Sequence, residues 1–283
     1  MRGDHGSPPA MSRFTTAALA ILAIMGFAGN SLLTRAALGH DLIGPGSFTV
    51  IRLSSGAAVL LPWLLRGERE WPTWRGSLTL LVYCAAFSFA YVELNAATGA
   101  MVLFAAVQIT ILAAGHLAGA RTRTIEWVGV GLAMLGVAVL LGSRAEQGPV
   151  VAVLSMALAG LSWGLYSILG RSATDPARRT AGNFLVAAAL SAPLAVIDID
   201  HRITAFGVLL AVASGALTSG LGYVAWYTVV PRLRHSTIGA AQLATPVIAA
   251  VGAAVLLSEP LTMRLAVAAL LVLGGIAATL TEP

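Results

Sequence analysis

Runs of about twenty apolar residues recur along this chain, broken by short clusters of Arg, Pro, Asp and Glu. A helix needs roughly 20 residues to cross a hydrocarbon core about 30 Å thick, so each run predicts a bilayer-crossing helix. Ten are expected, over residues 15–37, 45–65, 76–96, 98–119, 124–142, 149–170, 180–197, 204–229, 236–257 and 263–281. No soluble domain fits between them. The polar, Gly- and Pro-containing start "MRGDHGSPPAMS" predicts a disordered cytoplasmic tail over residues 1–14. No small-residue cleavage signal follows the first run, which is expected to be retained as a permanent helix.

The ten runs fall into two related sets. "MGFAGNSLLTRAA" (Met25 to Ala37) aligns with "LSWGLYSILGRSA" (Leu161 to Ala173), pairing Ser31 with Ser167, Leu33 with Leu169, Arg35 with Arg171 and Ala37 with Ala173. "AYVELN" from Ala90 resembles "GYVAWY" from Gly222, and the runs opening at Thr124 and Thr262 match at Leu132/Leu270, Leu135/Leu273 and Gly136/Gly274. Three matches in the same order predict a duplication, with a first repeat over 15–142 and a second over 149–281. Five helices per repeat is an odd number, so the second repeat enters the membrane from the opposite side. The expected fold is therefore all-α: a polytopic membrane protein of ten transmembrane helices in two inverted five-helix repeats.

Composition agrees and charge orients it. The chain is 58% hydrophobic and 10% charged, against roughly 25% charged residues in soluble domains. Its seventeen basic residues are all Arg. They sit at the ends of apolar runs and not on one aromatic-bearing surface, which excludes a nucleic-acid partner. With the N-terminus in the cytoplasm, Arg2, Arg13, Arg66, Arg69, Arg75, Arg121, Arg123, Arg171, Arg178, Arg179, Arg232 and Arg234 fall inside and only Arg144, Arg202 and Arg264 outside. The positive-inside rule then puts both termini in the cytoplasm of a cell (inner) membrane protein. The single Cys84 excludes an intrachain disulfide and a multi-cysteine metal cage. Without lysine there is no phosphate-binding loop for ATP. No metal and no cofactor is expected, the partners being a small-molecule substrate and the lipid bilayer. A monomer can enclose a pathway, and a homodimer is equally compatible.

"GLSWG" (Gly160 to Gly164) fits the Gly-x-Ser-x-Gly pattern of nucleophilic serines. That pattern works on a strand-to-helix turn with a base nearby, whereas here it lies within an apolar helical run. His116 is the only histidine near membrane depth, at a span end, so an intramembrane serine hydrolase using Ser162 is a remote alternative. Helical spacing gives another reading: Gly160 and Gly164, four apart, form a small-residue stripe for close helix approach. Ser162 sits about 200° around the helix from Gly160 and shares a second face with Tyr166, next to Trp163.

"LAGLSWGLYSILGR" together with "QLATPVIAAVGAAVLLSEPLT" (Gln242 to Thr262) resembles the EamA branch of the drug/metabolite transporter superfamily, over essentially the whole chain. The resemblance implies a membrane carrier of small metabolites, an exporter of amino acids or related compounds by alternating access, often proton-driven. Efflux of amphipathic or cationic drugs is the alternative within that class. The family-typical Pro246 and Glu259 correspond in the first repeat to Gln108 and Arg121, a departure that leaves the substrate subclass open.

Polar groups at membrane depth are costly, about 2.5 to 3.5 kcal/mol for a central charge, and mark candidate substrate contacts. Arg52 and Glu93 are expected to pair in the outward-facing cavity, with Arg35 at similar depth. Pro246 removes the helical partner of the Gln242 carbonyl, which predicts a polar surrounding there, and Gln108 aligns with Pro246 in the other repeat. Tyr91 matches Tyr223, and Asn30 matches Tyr166, so these too are candidates, together with Trp163. Trp226 and Tyr227 suit an interfacial aromatic belt. A proton would travel on Glu93 or on His116; exchange or facilitated diffusion needs neither.

Overall fold

The structure is a computed structural model that describes residues 12–65, 70–119, 123–141, 149–170, 173–198, 202–229 and 235–279, without the side chains of 13, 140, 141, 235–243 and 279. Most of the expected N-terminal tail, residues 1–11, lies outside the described residues, as do Arg121 and Arg171. The described residues are all-helical, and a helix occupies each of the ten expected stretches. They are α1 (Arg13–Leu38), α2 (Pro45–Leu65), α3 (Trp74–Tyr91), α4 (Ala96–Leu117), α5 (Thr124–Leu141), α6 (Val150–Gly170), α7 (Pro176–Ser191), the single turn α8 (Leu194–Ile197), α9 (Ala205–Ala213), α10 (Gly222–Val229), α11 (His235–Leu256) and α12 (Met263–Thr279). A π-helical stretch, Ser214–Leu221, joins α9 to α10 into one rod. Five of these rods are long and apolar enough to cross a membrane by length and composition: α1, α2, α4, α6 and the α9–α10 rod.

Local chemistry sets the helix ends. Thr73 and Thr204 cap α3 and α9 by accepting from the backbone N–H of Gly76 and Gly207, and Asp175 followed by Pro176 starts α7 four residues earlier than expected. Pro193 then breaks that run, leaving α8 as a separate turn, since proline offers no N–H. By contrast α2 and α11 continue through Pro62 and Pro246. α3 ends at Tyr91 and not at residue 96, because Asn95 opens α4.

The bundle is inside-out relative to a soluble domain. Phe14, Leu117, Val150, Val151, Leu209 and Leu270 are exposed, while Asn30, Thr34, Thr49, Arg52, Ser88, Asn183 and Ser214 are buried. This is the distribution of a multi-pass membrane protein, whose outer faces meet lipid. α3 and α4 pack on α6, α2 packs on α7 and the π stretch, α1 on α10 and α11, and α5 on α12. Close approach uses small residues. A Cβ on Gly160 would sit 2.5 Å from the Leu103 carbonyl oxygen, and one on Gly164 2.9 Å from the Thr110 side chain, so the Gly160/Gly164 stripe packs α6 onto α4 as its spacing predicts.

Each end of the bundle carries a polar clasp. At one end Arg35 Nε donates to Glu259 Oε1 at 3.2 Å, and Arg35 Nη1 donates to the carbonyls of Tyr91 (3.1 Å) and Val92 (2.9 Å). Glu259 also accepts from the Ala96 N–H at the start of α4, at 2.9 Å. At the other end Glu70 accepts from the Thr174 hydroxyl at 2.8 Å and from the Asp175 N–H, and pairs with Arg179, tying the α2–α3 loop to the start of α7. Burial raises the Glu70 carboxyl, but the hydrogen bonds from Asp175 and Thr174 and the charge of Arg179 outweigh it and hold the group below its ordinary value. A depressed carboxyl stabilises the fold above its unfolded value, about 4.5, and loses that contribution as pH falls through the lower folded value. Glu70→Gln is therefore expected to lower the melting temperature in detergent by about 2 to 4 °C at pH 7, with the gap to wild type closing below pH 4.5. A gap unchanged by acid would show that the clasp does not depend on the charge.

Candidate functional site

Between the clasps, α1, α3, α4, α6 and the α9–α10 rod enclose a small cavity whose walls include Phe27, Asn30, Tyr83, Phe87, Trp163 and Tyr223. Aromatic rings dominate it. Trp163 lies 4.8 Å from Tyr223, 5.0 Å from Tyr83 and 5.7 Å from Tyr166, which stacks on it. Phe27 meets Trp163 and Tyr223 edge-on, both at 6.0 Å, within the range where quadrupoles favour such pairs.

Tyr83 joins the rings to the polar groups. Its hydroxyl accepts from Asn30 Nδ2 at 3.3 Å and from Arg52 Nη2 at 3.2 Å. Asn30 Oδ1 accepts from the hydroxyls of Ser214 (2.7 Å) and Thr218 (3.4 Å), both on the π stretch. Arg52 Nε donates to Ser219 of the same stretch at 3.2 Å. The wider turn of a π-helix presents Ser214, Thr218 and Ser219 together to α1 and α2, and π segments recur at functional sites for that reason. The Arg52 guanidinium also lies 5.2 Å from the Tyr83 ring centre and 5.1 Å from that of Phe87. Such cation–π contacts contribute about 0.5 to 2 kcal/mol each. Arg52 is 0% exposed and its Nη1 has no partner among the described residues.

Asn30, Arg52, Trp163, Tyr166 and Tyr223 thus come together. The expected Arg52–Glu93 pair does not form: α3 ends at Tyr91, leaving Glu93 exposed in the loop, while Arg52 lies buried among hydroxyls and rings. The acid that answers an arginine at that end is Glu259, and the arginine is Arg35. Tyr91 is fully buried at the edge of the cluster, 4.7 Å from Phe87, with its hydroxyl donating to the Ala96 carbonyl, a packing position. Gln108 is half-buried on α4 and Pro246 is buried in α11, neither among the cavity walls; the Gln242 side chain lies outside the described residues. Trp226 is buried against Phe27 at 5.4 Å, a correction to its expected place in an interfacial belt. His116 is exposed near the end of α4, its ring against Trp127, whereas Ser162 is buried in α6. The sequence reading missed Tyr83, Phe87 and the π-stretch hydroxyls. The stripe Tyr83, Phe87, Tyr91 at four-residue spacing was the available signal.

A lipid-facing helical bundle around a small aromatic cavity, with the buried Arg52 hydrogen-bonded to its Tyr83 wall, fits a membrane transporter. The sequence model described as "EamA-like transporter family" matches residues 150–281. A protein of Pseudomonas aeruginosa named "Uncharacterized protein PA1977" is 48% identical over 267 residues, covering 93% of each chain. "Aromatic amino acid exporter YddG" of Ancylobacter novellus is 28% identical over 283 residues, 94% of this chain and 97% of that one. A solved structure described as "Crystal structure of protein" superposes with a TM-score of 0.66 at 25% identity, covering 95% of this chain and 98% of the other. The chain belongs to the EamA family of the drug/metabolite transporter superfamily.

Proposed function

We propose that this protein exports small metabolites of the amino-acid class across the inner membrane by alternating access, with both termini cytoplasmic. The observation that carries the reading is the central cavity, walled by residues of both halves: Asn30, Tyr83 and Phe87 from the first, Trp163 and Tyr223 from the second. A relative named as an aromatic amino acid exporter supports the substrate class.

The mechanism follows from two oppositely threaded repeats, 15–142 and 149–281. Exchanging them maps α1 onto α6, α2 onto α7, α3 onto the α9–α10 rod, α4 onto α11 and α5 onto α12. The packing respects this exchange: α1 on the α9–α10 rod answers α6 on α3, α1 on α11 answers α6 on α4, and the pairs α2–α7, α4–α11 and α5–α12 map onto themselves. Such a body can open at either end by rocking one half against the other about the cavity. In this orientation the Arg35–Glu259 clasp closes the outer end.

Growth of a deletion strain and an overexpressing strain across a panel of toxic amino acids and analogues tests the proposal. Overexpression should raise the tolerated concentration of at least one compound several-fold and deletion should lower it. Identical growth of both strains on every member would overturn it.

A further inference from the structure

We infer that Asp198 and Glu70 are matched latches, one at each end of the paired helices α2 and α7. Both are engaged in this structure, and each end opens only when its own carboxylate lets go. The inference rests on the reading of this chain as an alternating-access carrier and adds what holds each end shut.

One spacing in the sequence separates Pro45 from Pro176, Thr73 from Thr204 and Gly76 from Gly207. The two prolines open α2 and α7, and the two threonines cap α3 and α9 through the N–H groups of the two glycines. Each end of the α2–α7 pair is then tied across the halves in the same way. Asp198, which follows α7 and α8 in the second half, accepts from the Ser47 N–H in the first turn of α2 at 2.7 Å. Glu70, which follows α2 in the first half, accepts from the N–H groups of Thr174 (3.3 Å) and Asp175 just ahead of α7 and pairs with Arg179. A carboxylate suits both places, because the start of a helix presents unpaired N–H groups and partial positive charge. A backbone tie stands beside each latch: the Thr204 N–H donates to the Leu42 carbonyl at 2.9 Å, and the Thr73 N–H to Asn183 Oδ1 at 3.1 Å.

The latches lie at opposite ends of α2, whose 21 residues span about 31 Å, so they sit at opposite faces of the membrane. Each joins one half to the other, and rocking the halves apart at one end breaks that latch while the far one holds. The central cavity has a volume of about 20 Å³, room for about one water, so a cargo enters only after an end has opened. Similar construction at the two ends keeps the two open states close in free energy, as a carrier that visits both requires. The Asp198 end is closely fitted: Asp198 is 2% exposed, and a Cβ on Gly44 would come 2.5 Å from its Oδ2.

Hydrogen–deuterium exchange of the full-length chain in lipid nanodiscs, read by mass spectrometry on peptides at the starts of α2 and α7, tests this without a cargo. Asp198→Ala should speed exchange at the start of α2 by about tenfold and slow it at the start of α7, and Glu70→Ala should do the reverse. Slowing at the far end separates a latch from a plain structural contact, since a carrier held open at one end visits the other less. Gly44→Ala keeps the Asp198 carboxylate but crowds it off Ser47; it should repeat the Asp198→Ala pattern, and it decides that end if Asp198→Ala does not fold. Faster exchange confined to the mutated end, or no change at either end, overturns the inference. Reciprocal exchange in a chain whose deletion and overexpression leave growth unaltered on every toxic compound upholds the latches and sinks the export reading. Altered growth together with exchange that changes only at the mutated end removes the latches and leaves the carrier standing.

Discussion

Gly215→Val is expected to yield no folded protein. Gly215 lies in the π stretch where it crosses α2, and a Cβ there would run into the Arg52 carbonyl oxygen and the Ser55 hydroxyl. The first obstacle is backbone, so no rotamer change relieves it, and the cost exceeds the roughly 1 to 3 kcal/mol of ordinary overpacking. The same displacement would pull Ser214 and Ser219 from Asn30 and Arg52, so the site fails with the packing. Size-exclusion chromatography in detergent should show aggregate or no material for this variant. Gly274→Ala should leave the profile unchanged, since nothing lies within 4 Å of a Cβ at that position. A monodisperse Gly215→Val protein of normal yield would mean that the π stretch and α2 separate more easily than their contact implies.

The second large effect is expected at Glu259. Its carboxylate does two jobs at once, pairing with Arg35 and capping the N-terminus of α4 through the Ala96 N–H. The pair is mostly enclosed, with side chains 19% and 13% exposed. Removing one member of an enclosed pair costs about 3 to 5 kcal/mol, because the other charge is left without compensation. Glu259→Ala is expected to lower the melting temperature by roughly 6 °C or more. Glu259→Gln, which can still accept from Ala96 but carries no charge, should fall between. A double-mutant cycle with Arg35→Ala separates the two roles: a coupling near zero would mean that the helix cap alone accounts for the loss.

Much of this was legible in the sequence. Apolar period and Arg placement locate all ten helical stretches, because the bilayer demands an internally hydrogen-bonded element of fixed length. The Gly160/Gly164 stripe also reads correctly, since a four-residue spacing of small residues has one main physical use in lipid. Arg52, Asn30, Trp163, Tyr166 and Tyr223 stand out because polar and amphipathic groups are few in the apolar runs. Pairing was harder to see. Arg35 and Glu259 are 224 positions apart, and no local pattern says that the loop before α12 folds over the start of α4. Glu93 looked like the partner of Arg52 only while α3 was taken to continue past Tyr91. The π stretch, built from Ser214 to Leu221, differs from an α-helix by one residue per turn and leaves no mark in composition. It is nevertheless what aims three hydroxyls at Asn30 and Arg52.

Among the described residues the carboxylates lie in loops or in the first turn of α5, and His40, His116 and His235 lie in a turn or at helix ends. A substrate carried with net charge would couple transport to the membrane voltage, about 2.3 kcal/mol per charge at 100 mV, and collapsing that voltage with an ionophore would then change accumulation outside even when the pH gradient is kept.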